Sequence, residues 1–108
     1  MPKRIDVPFT PQSLARLLHD FVSGNNEEYT HHDFANWCYE YWNATVHDEI
    51  VPHTDLDKTA IEVVSDIDVQ WELFLLNTYS SNELRSLDFS IVELPSTWLQ
   101  GWLNRLVN

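Results

Sequence analysis

Polar and apolar residues alternate along most of this chain with the period of an α-helix. The richest stretch is residues 29–45, where Phe34, Trp37, Cys38, Tyr41 and Trp42 recur at the i, i+3, i+4 spacing that gathers side chains on one face. Thr30 is the expected N-cap, Asp33 stands three residues later where a capping acid belongs, and Tyr29 is placed to staple onto Phe34. This segment carries more large aromatic surface than any other of its length, so the remaining elements are expected to pack around it.

The same start grammar occurs upstream. Thr10 caps, Pro11 occupies the first helical position, Phe9 can staple onto Leu14, and Leu14, Leu17, Leu18, Phe21 and Val22 form a stripe that Gly24 terminates. A helix over 11–23 follows. Residues 25–28 leave only a short connection, so the first two helices are expected to be antiparallel neighbours. Residues 1–9, with Pro2 and Pro8, are expected to form an extended lead-in. Beyond an irregular stretch closed by Pro52, Thr54 or Asp55 caps a third helix over about 55–77, with Leu56, Ala60, Val63, Val64, Ile67, Trp71, Phe74 and Leu75 as its seam. Ile67, Val69, Trp71, Leu73 and Leu75 also alternate as in a strand, but no Gly or Pro divides the seam, which favours helix. Residues 79–82 break it, 82–87 form a short helix, and 88–94 is the stretch with a claim to be extended. Pro95 and Ser96 open a last helix bearing Trp98, Leu99, Trp102, Leu103 and Leu106 on one side. Gly101 weakens that helix by about 1 kcal/mol relative to Ala, and is expected to mark a close approach of another helix. The expected fold is all-α, a bundle-like single domain of four to five helices over residues 1–108, with one short extended segment near 88–94.

Charge changes the picture more than composition does. The chain holds 17 acidic and 6 basic residues, a formal net charge of −11, and between Leu17 and Leu84 Lys58 is the only Lys or Arg. Such a field repels phosphates and anionic lipid, so neither direct nucleic-acid binding nor membrane association is expected; a cationic protein partner is favoured. The single cysteine, Cys38, cannot form an internal bridge and falls on the apolar face, as expected of a buried thiol in a reducing cytoplasm. No apolar run approaches the roughly 20 residues that span a bilayer.

Candidate chemistry is sparse. His31 and His32 are adjacent, about 100° apart on a helix, and cannot clasp one ion together. His47-Asp48 and His53-x-Asp55 can approach each other across the second connection, but the one thiol, Cys38, faces the core, so no metal and no cofactor is expected. There is no Gly-x-Ser-x-Gly elbow and no Gly-rich phosphate loop, so no enzyme is expected. Trp37, Tyr41, Trp71, Trp98 and Trp102 are assigned to the core. Tyr39 and Trp42 lie at the margin of the central stripe beside Glu40, a combination that suits a protein-binding surface.

The pattern Leu14-x-x-Leu17-Leu18-x-x-Phe21-x-x-Gly24, then Tyr29-Thr30-x-x-Asp33-Phe34-x-x-Trp37, then a long amphipathic third helix, resembles small immunity proteins of bacterial toxin systems. That resemblance implies a cytosolic antidote that binds a cationic nuclease toxin and occludes its active site, and it transfers no individual residue. Charge and aromatic placement alone point to Glu40, Asp48 and Glu49 as partner contacts, with Asp33 and Trp42 as secondary ones. The competing expectation is a self-associating structural or regulatory module, a homodimer formed through the tryptophan-rich helices, with acidity serving solubility.

Overall fold

Four helices are capped at their start by a Thr or Ser side chain. In a computed structural model, which describes residues 4–24 and 28–107, the elements are α1 (Pro11–Ser23), α2 (His31–Val46), α3 (Asp55–Thr78), α4 (Ser81–Ser86), a 3-10 turn (Phe89–Ile91) and α5 (Ser96–Val107). Thr10, Thr30, Thr54 and Ser80 accept the N–H groups of Ser13, Asp33, Asp57 and Glu83. The last three carboxylates return the contact to the cap residue's own N–H, at 2.9 Å for Asp33, 3.0 Å for Asp57 and 2.9 Å for Glu83. Each box satisfies two otherwise orphaned donors and is worth about 1 kcal/mol. Gly24 ends α1 with φ 74°, a left-handed conformation that only glycine adopts without steric cost.

The fold is all-α, and no strand forms among the described residues. α2 and α3 pack antiparallel: His32, at the start of α2, stacks on Trp71 late in α3, and the α2–α3 connection folds back beside Tyr41. α1 lies chiefly against α5, and α5 also contacts α3. The expected close neighbourhood of α1 and α2 is replaced by a wider antiparallel arrangement filled with rings. Phe9, just ahead of α1, meets Trp37 and Tyr41, while Phe21 near its end meets His31 and Phe34. Aromatic side chains set the two backbones too far apart for the close helix contact that α1 makes with α5. The connection over 25–27 lies outside the described residues.

The core joins Leu14 and Leu18 of α1, Phe34, Trp37, Cys38 and Tyr41 of α2, Val63, Val64 and Ile67 of α3, and Leu99, Trp102, Leu103 and Leu106 of α5. Burial of each large side chain stabilises the fold by about 1.5–3 kcal/mol relative to exposure. The lead-in takes part: Ile5 is buried, and the Trp37 indole N–H donates to the Val7 carbonyl at 3.3 Å.

Residues 67–75 are helical throughout, as the unbroken seam favours, and the strand alternative falls away. Two further expectations change. Over 88–94 the chain is not simply extended: the Asp88 carboxylate accepts from the Ser90 N–H and hydroxyl, at 3.0 and 2.6 Å, and nucleates the 3-10 turn. Val92 and Leu94 then bury themselves without a strand partner. Leu56, placed in the α3 seam by its spacing, is exposed in the first turn of α3. Among the described residues no helix is long and apolar enough to cross a membrane.

Gly101 does not admit a neighbouring helix: a Cβ built there meets no atom within 4 Å. Its φ is not left-handed, so alanine fits without strain. Gly101→Ala is expected to stabilise the protein by about 0.5–1 kcal/mol, measured by urea denaturation; a destabilised variant would contradict the open geometry.

Candidate partner-binding surface

The five contact residues proposed from sequence do not share one surface. Asp33 is buried, and its carboxylate is engaged in the α2 cap, so it presents nothing to a partner. The capping position that the sequence assigns to Asp33 is what takes its charge inward. Glu40 lies two turns along the same face of α2, where Arg4 reaches it at 3.9 Å. An exposed ion pair of that length contributes about 0–1 kcal/mol. Arg4, Asp33, Trp37, Tyr39 and Glu40 line a shallow cavity of about 250 Å³. Trp42 is on another face, half-buried against the core.

Asp48 and Glu49 lie elsewhere, at the corner where α2 turns into α3. Ending α2 demands a sharp reversal there: the Glu49 and Ile50 N–H groups both return to the Ala44 carbonyl, at 2.9 and 3.3 Å. Asp48 takes up φ 59° to allow it, a conformation Asp tolerates better than most residues. Val46, Val51 and Leu56 are exposed around this corner. The carboxylates of Asp48, Glu49 and Asp55 enter no hydrogen bond or ion pair among the described residues, and Lys58 is the only Lys or Arg in the segment. The corner therefore combines aliphatic area with uncompensated negative charge on a short, reversed backbone.

Behind it, Tyr41, Glu49, Ile50, His53, Asp57 and Ile61 help to line a cavity of about 350 Å³. Burial, then the Asp57 carboxylate, then Cys38 push the Tyr41 hydroxyl up to about 12, so it remains a neutral donor. Asp57 is held below the usual carboxylate range by the His53 N–H first and by Thr54 as well, consistent with its capping role. Cys38 is buried, and burial, reinforced by Asp68, raises its thiol well above the ordinary value, which makes it a poor nucleophile. Among the described residues no three of His, Cys, Asp and Glu converge on a position that would hold a metal ion.

The aliphatic residues Val46, Val51 and Leu56 were missed by spacing, which records periodicity and not where a partner helix stops. The two histidines serve separate packing and hydrogen-bonding roles. His31 accepts the Leu94 N–H on Nδ1 at 2.8 Å and tethers the segment before α5 to the start of α2, while His32 packs between Trp71 and Phe89. Only a contact spanning 63 positions reveals that tether.

Comparison with protein-family models, with curated proteins and with solved structures found no match for the chain. The functional reading therefore rests on this chain's own residues.

The His31 tether is pH-dependent. Burial lowers its pKa below the ordinary 6.5, opposed by Glu93, so the unfolded chain binds the proton more readily than the folded one. Stability from this group is present above about pH 6.5 and is lost as pH falls through the folded value. His31→Leu is expected to show a smaller fall in Tm than the unsubstituted protein between about pH 7.5 and 5.5. Identical slopes in thermal melts would exclude the tether.

Proposed function

We propose that this protein is an inhibitor of another protein: it meets a cationic, nuclease-type partner at the α2–α3 corner and covers its active site, in the manner of immunity proteins of bacterial toxin systems. The observation that carries this reading is the corner itself, where the carboxylates of Asp48, Glu49 and Asp55, without partners among the described residues, stand beside exposed Val46, Val51 and Leu56. Aliphatic groups supply the area that is desolvated on binding, and carboxylates occupy positions where a nuclease expects phosphates. The net charge of −11 adds long-range attraction to a basic surface. Glu40, already paired with Arg4, is a peripheral contact in this reading, and Trp42 is a neighbour one turn before Val46 on α2.

A second reading, self-association, has one observation of its own. Val69, Leu73 and Leu76 form an exposed row on the outer side of α3. Trp102 is not part of any such surface: it is 5% exposed and belongs to the core, so its truncation would open a cavity and leave association unreported.

Two measurements decide between the readings. In the first, each basic polypeptide encoded beside the gene is co-expressed with this chain, and growth and nuclease inhibition are followed. Unsubstituted protein is expected to neutralise one of them, and the Asp48→Lys, Glu49→Lys double variant to associate about tenfold more slowly at low salt. Equal association by the variant, or no neutralised neighbour, would reject the inhibitor. In the second, sedimentation equilibrium is expected to give a monomer; a dimer that dissociates in the Leu73→Asp, Leu76→Asp variant would establish self-association instead.

A further inference from the structure

An open groove of about 490 Å³ between α3 and α5 is lined by Asp66 and Gln70 on one helix and by Trp98, Gly101, Trp102 and Arg105 on the other. Gly101 is exposed, in the middle of α5, with open space where its side chain would stand. Packing therefore does not require glycine, and helix propensity opposes it. A side chain longer than alanine at this exposed position would stand over the groove.

The walls are fixed and chemically distinct. Trp98, 37% exposed, is braced edge-on by Phe74 at 5.9 Å and by Trp102 at 6.5 Å between ring centroids. The Asp66 Oδ2 accepts the Trp102 indole N–H at 2.7 Å and faces the Arg105 Nη1 at 3.7 Å. The Asp66 Oδ1 and the Gln70 side-chain amide, one turn further along α3, take no hydrogen bond among the described residues. Arg105 is already matched by Glu62 as well as Asp66, so these three groups together remain negative.

We propose that this groove binds a guanidinium group, the side chain of an arginine presented by another polypeptide. Three features select it: the exposed Trp98 ring suits a planar cation, the free acceptors Asp66 Oδ1 and the Gln70 amide oxygen suit several N–H donors, and the single negative charge left over by Glu62, Asp66 and Arg105 beside the groove favours a cation over carboxylates and phosphates. Guanidinium combines the plane, the donors and the charge, whereas an ammonium lacks the plane and stacks poorly. The source of the arginine rests on the cationic partner proposed above; the groove's own chemistry does not.

The test uses N-acetyl-arginine amide as probe, titrated at constant ionic strength into protein carrying 15N in its tryptophans, with N-acetyl-lysine amide as the matched cation. Saturable shifts of the Trp98 and Trp102 indole signals are expected with the arginine probe, and a response roughly fivefold weaker or less with lysine. Gly101→Leu fills the groove from an exposed helical position and is expected to abolish the shifts, while unchanged Trp37 and Trp71 indole signals report an intact fold. Absence of saturable shifts, an equal response to lysine, or undiminished binding by Gly101→Leu would overturn the proposal. Failure here leaves nuclease inhibition through the α2–α3 corner standing, and failure of that inhibition leaves this titration standing.

Discussion

The aromatic face of α2 sets the terms for everything packed around it. Phe34, Trp37 and Tyr41 are each almost wholly withdrawn from water, and no single neighbouring helix can cover so much ring surface. α3 closes one side through Val63, Val64 and Ile67, and Phe9 and Phe21, at the two ends of α1, close another. The rings hold α1 away from α2, and α1 fills its remaining apolar stripe with α5. Truncating any of the three α2 aromatics would remove about 3–5 kcal/mol, a large share of what a domain of this size possesses.

A chain this acidic invites the idea that every carboxylate serves one purpose, and the structure separates them into kinds. Asp33, Asp57, Glu83 and Asp88 start helices or turns by accepting backbone N–H groups. Asp66 anchors the Trp102 indole, and with Glu62 it balances Arg105. Among the described residues Asp48, Glu49 and Asp55 have no such employment, and they stand near exposed aliphatic residues at one corner. The distinction matters because only an uncompensated charge gives its full interaction to a partner, while one already hydrogen-bonded must first surrender what it holds.

Two surfaces thereby differ in what they offer. The α2–α3 corner offers exposed aliphatic side chains beside carboxylates that are unpaired among the described residues. The α3–α5 groove is concave and aromatic, suited to receiving a side chain. Gly101 sits where helix stability and an open groove compete: an alanine methyl would find room, and anything larger would occupy the space between Trp98 and Arg105. Glycine in such a place lowers stability without relieving any clash, the pattern expected where local stability yields to a function.

Helix starts, stops and buried faces were readable from the residues alone, because capping and periodicity are local: Thr10, Thr30 and Thr54 bond within three positions, and Gly24 needs only its own φ. The all-α class followed for the same reason, as did the burial of Trp37, Tyr41 and Cys38. Partnering did not follow. Whether α1 lies on α2 or on α5, whether Leu56 is covered, and that His31 reaches Leu94 all depend on residues far apart in the chain, where ring size and helix length settle what touches what. Charge showed the same division. Its total is a property of composition, but whether Asp33 faces a partner or a backbone N–H, and whether Asp48 stands unpaired, are matters of three-dimensional neighbours that no spacing rule encodes.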